Sequence, residues 1–177
     1  VRVVSLLASA TEIVCALGAG EMLVGRSHEC DNPFWVRRLP PCSEPAFDVS
    51  VSSGEIDAEV RRRLRAGEPL YIVHDHVIAR LQPDLIITQE HCEVCAVTPA
   101  NIRCPAGKQL AISASSVEDI FESVVQIARA LDLEDRGHAL VEQERKRLQS
   151  VRDRTAGLRK PTLVMLEWTD PIFGMAN

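Results

Sequence analysis

Residues 1–25 constrain the fold more than any other stretch, because they require parallel strands. Arg2-Val3-Val4-Ser5-Leu6-Leu7 is short, β-branched and apolar, the signature of a buried strand. Ser9-Ala10-Thr11-Glu12 then has the S-x-x-E form of a capping box, ahead of Ile13, Val14, Ala16 and Leu17. A helix is predicted there with Ser9 as its cap, Val14 and Cys15 on its core face, and Gly18 and Gly20 as its stop. Met22 to Gly25 reads as a second strand. So compact a strand–helix–strand unit runs its two strands in parallel. Hydrophobic residues make up 46% of the 177, the ordinary globular level, so the sheet this implies can be buried.

The rest of the chain extends that reading. Asn32 to Pro45 is an irregular connection with one helical turn at Phe34 to Arg38, Gly54 to Ala66 reads as a helix, and His76 to Leu81 reads as a shorter one. Gln82-Pro83-Asp84 launches the clearest strand, Leu85-Ile86-Ile87-Thr88, and Leu110 to Ser113 is a weaker one. Ser115-x-x-Glu118 offers a second capping box, and Val117, Ile120, Phe121, Val124, Ala128 and Leu131 recur at helical spacing as one apolar stripe. From Arg136 to Arg159 the pattern stays helical but mostly charged, with Leu140, Leu148, Val151 and Leu158 as its larger anchors, as in a helix that spans between lobes. Lys160-Pro161 ends it, and Thr162 to Leu166 starts a fresh strand. The expected architecture is α/β: a three-layer parallel-sheet lobe in residues 1–115, a helical region with the bridging helix in 116–160, and the first strand of an incomplete, truncated second lobe in 161–177.

Composition excludes several classes. Lys plus Arg number 20 against 25 Asp plus Glu, a net charge of −5, which argues against nucleic acid as a partner. The one dense basic run, Arg61-Arg62-Arg63-Leu64-Arg65, reads as a solvated helix face. No apolar stretch approaches the ~20 residues needed to cross a bilayer. No signal-peptide pattern precedes the first strand, which leaves a cytoplasmic location open. The six cysteines are too sparse for a disulfide scaffold, and Cys42 and Cys104 have no evident partner. There is no nucleophile elbow, P-loop, H-E-x-x-H or G-x-G-x-x-G.

In an open parallel sheet, ligands sit beyond the carboxyl ends of the strands, so the loops Ala8–Thr11, Arg26–Asp31 and Gln89–Cys95 are the candidates. Ser9 and Thr11 stand at a helix N-terminus, where free N–H groups suit an anionic or amide oxygen, although Ser9 equally serves as the cap. Asp31, Gln89 and Glu90 are polar contacts for a ligand rim, and a neutral His28 imidazole can coordinate cobalt, iron or zinc. Trp168, at a strand end, can stack on a flat macrocycle or anchor a second lobe. Gln89-Glu90-His91-Cys92-Glu93-Val94-Cys95 supports three readings: Cys92 and Cys95 bind zinc together with His28 and Cys30, they form a redox pair, or they shape a turn. His91 goes with that pair, while His74, His76 and His138 read as surface residues.

The order of motifs resembles the vitamin B12 and ferric-siderophore receptors of ABC importers, the helical-backbone (class III) substrate-binding proteins. Val3-Val4-Ser5-Leu6-Leu7-Ala8-Ser9-Ala10-Thr11-Glu12 matches that family's opening strand and cleft loop, with Ala8 where a proline is usual. Val24-Gly25-Arg26-Ser27-His28-Glu29-Cys30-Asp31-Asn32-Pro33 resembles its second strand and loop, and Leu81-Gln82-Pro83-Asp84-Leu85-Ile86-Ile87 resembles its L-x-P-D-L-I strand. Glu167-Trp168-Thr169-Asp170-Pro171 resembles the opening of the second lobe. The resemblance implies two lobes joined by one long helix, with cobalamin, haem or a siderophore held in the cleft between them. It further implies no enzymatic activity and no required cofactor, a membrane permease as partner, and a periplasmic or cell-surface location. Self-association to replace the missing lobe is a further expectation. Two alternatives come from the residues themselves: a thiol–disulfide oxidoreductase with Cys92 as nucleophile and Cys95 as resolving thiol, and a cytosolic Cys/His metal-binding or regulatory protein.

Overall fold

The computed structural model describes residues 1–90, 97–103 and 107–174. The opening unit forms as β1 (Val3–Ser5), α1 (Ala8–Ala16) and β2 (Leu23–Arg26). β1 pairs in parallel with β2 and, on its other edge, with β5 (Leu85–Gln89), which pairs in parallel with β6 (Lys108–Ile112), giving the order β2-β1-β5-β6. Because side chains alternate along a strand, neighbours in sequence serve opposite faces. Val3, Leu85 and Ile87 pack with Ala10 and Val14 of α1 and with Val124 and Ile127 of α4 (Val117–Ala130). Val4, Leu6 and Ile86 meet Cys42 and Ile78, the latter on α3 (Asp75–Leu81). Each Val, Leu or Ile side chain so buried stabilises the fold by about 1.5–3 kcal/mol relative to exposure.

The outer layer beside α3 contains an antiparallel pair that the sequence reading did not foresee, β3 (Ser43–Pro45) with β4 (Tyr71–Val73). Each strand has three residues, too few for a period-2 pattern to stand out. Between them runs α2 (Ser53–Ala66), closed at its start by a full capping box of Ser52 and Glu55 and at its end by Gly67 in the left-handed conformation. Three of its four arginines are paired with carboxylates: Arg61 with Asp57, Arg62 with Glu59 and Glu68, and Arg63 with Glu59.

Two expected caps are corrected. The chain leaves β1 straight into α1, so the capping position falls on Leu7; Ser9 lies exposed inside the first turn and makes no cap bond. At α4 the cap is Ser116 rather than Ser115: its hydroxyl accepts from the Asp119 N–H at 3.2 Å, while the Asp119 carboxylate accepts from the Ser115 N–H at 2.9 Å. Glu118 is thereby free to pair with Arg145 of the next helix. Val117 and Ile120 are about half exposed and drop out of the predicted stripe, whereas Phe121, Val124, Ala128 and Leu131 are buried.

The long charged helix is α5 (Glu134–Thr155). It packs on α4 where it starts: a Cβ at Gly137 would come within 2.5 Å of the Ala128 Cβ, so the two backbones meet there because neither side chain intervenes. Past that point it is largely solvent-exposed and laced with ion pairs such as Lys146–Glu142 and Arg147–Glu144. The strand expected at Thr162 to Leu166 is displaced. Residues 160–165 have no regular structure, and β7 (Leu166–Thr169) instead pairs antiparallel with β8 (Ile172–Gly174) about an Asp170-Pro171 turn. The turn fixes which residues find partners, and Leu163, Val164 and Met165 are left outside and exposed. Among the described residues, no helix is long and apolar enough to cross a membrane.

Candidate ligand-binding site

Two adjoining hollows open at the carboxyl end of the parallel sheet. The smaller, about 240 Å³, lies against the ends of β1 and β2 and is lined by Leu6, Ala8, Ser27, His28, Tyr71 and Val97 among others. The larger, about 490 Å³, shares His28, Glu29 and Tyr71 with it and extends between α2 and the β7–β8 hairpin. Its walls include Phe47, Tyr71, Trp168 and Phe173. The chain has only two Trp, one Tyr and four Phe, so most of its aromatic side chains converge here.

The hairpin is held over α2 by identifiable contacts. The Asp170 carboxylate lies where a Cβ on Gly54 would come within 3.0 Å of it, at the first turn of α2, where the helix dipole favours a negative charge. The Arg61 guanidinium stacks 5.7 Å from the Phe173 ring centre, and Arg63 does the same over Phe47 at 5.4 Å. Trp168 is oriented by its indole N–H, which donates to the Asp170 carbonyl at 2.8 Å.

His28 sits at the junction of the two hollows. Its Nδ1 is 3.0 Å from the Ser43 hydroxyl, its backbone N–H donates to that same oxygen, and its Nε2 is 3.3 Å from Glu29. These partners assign the Nε2–H tautomer, with Ser43 donating to Nδ1. Burial pushes the imidazole below its ordinary pKa of 6.5, against the pull of Glu29, so it is neutral near pH 7. It tilts against the Tyr71 ring at 5.3 Å between centres, and burial raises the Tyr71 phenol, with Glu29 adding to the effect.

Of the residues proposed from sequence, His28 and Trp168 line the cleft. Thr11 does not: it is buried, with Oγ1 3.3 Å from the Leu7 carbonyl and 3.0 Å from Cys30 Sγ. Ser9 and Asp31 are exposed outside both hollows, Asp31 paired with Arg37 at 3.0 Å. Gln89 and Glu90 line neither hollow, and their backbone N–H groups donate to Val97 and Ile112. Cys30 is likewise enclosed, its sulfur beside the hydroxyls of Thr11 and Ser27, and it does not come together with His28. Among the described residues no group of three His, Cys, Asp or Glu side chains is placed to hold a metal, which leaves the expected zinc set of His28, Cys30, Cys92 and Cys95 without support. Cys92 and Cys95, with His91 and Cys104, lie outside the described residues. Cys42 is buried, its thiol pushed up to about 11 by burial.

The sequence reading missed Glu29, Phe47, Asp57, Tyr71, Glu167 and Phe173, all of which line the larger hollow. Aromatic scarcity was the available signal for Phe47, Tyr71 and Phe173. Glu29 and Glu167 each adjoin a residue that was chosen.

The chain belongs to the periplasmic binding protein family, whose profile matches residues 3–177. A search of curated proteins finds no significant sequence match. Among solved structures it is similar to the periplasmic vitamin B12 binding protein of Vibrio cholerae, at 21% identity and a TM-score of 0.68, covering 97% of this chain and 57% of that one. It is also similar to a periplasmic heme-binding protein from Roseiflexus sp. RS-1, at 24% identity and a TM-score of 0.62, covering 93% and 54% of the two chains. A possible iron-binding, periplasmic solute-binding protein of Staphylococcus epidermidis matches at 20% identity and a TM-score of 0.68, covering 98% and 59%. At these identities the likeness is one of fold, and this chain spans between half and three fifths of those proteins' length.

Proposed function

We propose that this chain captures a metal chelate, cobalamin or a related haem or siderophore complex, in the aromatic cleft and presents it to the membrane permease of an ABC importer. The observation that carries this reading is the cleft's position and lining: beyond the carboxyl ends of the parallel strands, with Trp168, Phe173, Phe47 and Tyr71 around about 490 Å³. Ligand sites of open α/β sheets lie at that end, and flat aromatic faces stack on flat macrocycles. The volume is within the ~300–1,000 Å³ usual for small-molecule sites. Membership of the periplasmic binding protein family supports binding without turnover, and with it a location outside the cytoplasmic membrane. In this reading residues 1–115 form the lobe, 116–160 the helical connection, and 161–177 the part that covers the ligand, and a second copy can supply further cover. His28 could coordinate the chelated metal only by exchanging Glu29 for it at Nε2.

Titration with cyanocobalamin and, separately, with haemin tests the reading, following the ligand's visible absorbance and the heat of mixing together. Saturable one-to-one binding of either ligand is the expected result. Absence of binding with both, and with a ferric siderophore, would count against it.

A further inference from the structure

Resting on that reading, we infer that the cleft selects chelates that are uncharged or cationic and rimmed with N–H donors, such as amides, and discriminates against chelates that carry peripheral carboxylates. The ionisable side chains on the wall of the larger hollow are His28, Glu29, Asp57, Tyr71 and Glu167, the Tyr71 phenol being uncharged, and among the described residues no Lys or Arg stands with them. His28 is neutral at pH 7 for the reason given above, so it offers no positive charge.

Of the nearby guanidinium groups, two are paired with carboxylates, and Arg26 is held by backbone carbonyls with its Nε buried and unpartnered among the described residues. Arg61 holds Asp57 at 2.8 Å and stacks on Phe173. Arg63 holds Glu59 at 2.8 Å and stacks on Phe47. Arg26 donates to the Ser27 and His28 carbonyls at 2.8 and 3.4 Å. Arg61 offsets the charge of Asp57, so Glu29 and Glu167 are the wall carboxylates that the described ion pairs leave without an Arg or Lys partner. Glu29 keeps about two-thirds of its side chain exposed, and its partner is the Nε2–H of the neutral His28, which brings no balancing charge. Carboxylate oxygens accept hydrogen bonds and cannot donate them, so they match the N–H₂ edge of an amide and repel a second carboxylate.

The test compares cyanocobalamin, uncharged overall and rimmed with amides, with derivatives in which one peripheral propionamide has been hydrolysed to a carboxylate. Ring, metal and shape are otherwise shared. Each carboxylate derivative is expected to bind about tenfold more weakly. The gap should narrow in the Glu29→Gln/Glu167→Gln double variant, and also in about 1 M salt, where screening reaches to ~3 Å. Equal affinity for amide and carboxylate forms would overturn the inference while leaving the binding function standing. So would tighter binding of haemin, which carries two carboxylates. No binding of any chelate would instead overturn the function on which the inference rests.

Discussion

The parallel-sheet lobe and the stretch after the long helix are built from similar residues but used in opposite ways. In the lobe, Val3, Val4, Ile86 and Ile87 are fully enclosed between two layers. After α5, Leu163, Val164 and Ile172 are each more than two-thirds exposed, and the hairpin touches the lobe through a few side chains around the cleft. The lobe is therefore held by burial. The hairpin's described contacts with the lobe gather around the cleft, and in the proposed reading that division links stability to one region and recognition to the other.

Substitutions separate the two regions. The largest effect is expected from Ile86→Ala, which empties a fully buried site in the sheet and should lower unfolding free energy by about 2–5 kcal/mol, whereas Ile172→Ala should stay within about 0.5 kcal/mol. Urea unfolding of both variants measures the difference, and equal losses would break the contrast. Next comes Gly25→Val: its Cβ would lie 2.7 Å from Cys42 Sγ and 2.8 Å from Leu81 Cδ1, a clash costing about 1–3 kcal/mol. Gly174→Ala, whose Cβ would lie 3.6 Å from the Met165 carbonyl oxygen, should be close to neutral in the same assay.

Trp168→Ala reverses the pattern. Ligand affinity should fall about tenfold as an aromatic wall is lost, with the unfolding midpoint held, as calorimetry and thermal melting would show together. A smaller effect distinguishes the two serines read as caps. Ser52→Ala removes a working cap and should cost about 0.5–2 kcal/mol, while Ser9→Ala should change little.

The smallest effect is one of pH. Because His28 titrates below 6.5 when folded, the unfolded chain takes up its proton first as the medium is acidified. Its contribution is thus fully present above 6.5 and is lost as pH falls toward the folded-state value. Subtracting the stability profile of His28→Asn from that of the unaltered protein should leave a difference that rises with pH across that window. A flat difference would show that His28 is not buried as described.

The strand–helix–strand opening, the Leu85–Ile87 strand and the charged helix were legible because each carries a period or a run long enough to read. The caps were misplaced by a residue or two for a different reason. Ser9 and Glu12 have the right spacing for a box, but the chain enters α1 directly from β1, a tertiary fact that spacing does not encode. β3 and β4 were missed because three residues cannot display alternation. At the cleft, His28 and Trp168 stood out by their chemistry, and both line the larger hollow. Phe47, Tyr71 and Phe173 were missed because they come from separate elements and meet only once β3, β4 and the hairpin are in place. Thr11 and Cys30 were plausible loop donors by position, yet each lies buried beside the other.

Trp168 gives the most direct access to the central proposal, that a metal chelate is held in the aromatic cleft. Replacing the partly exposed Trp35 by Phe leaves Trp168 as the sole tryptophan, and its fluorescence can be followed while cyanocobalamin is added. Quenching that saturates at one equivalent is the predicted result, because the bound corrin would lie against the indole. Quenching that grows without saturation, with haemin as with cyanocobalamin, would mean only collisional contact and would contradict a ligand site at this cleft.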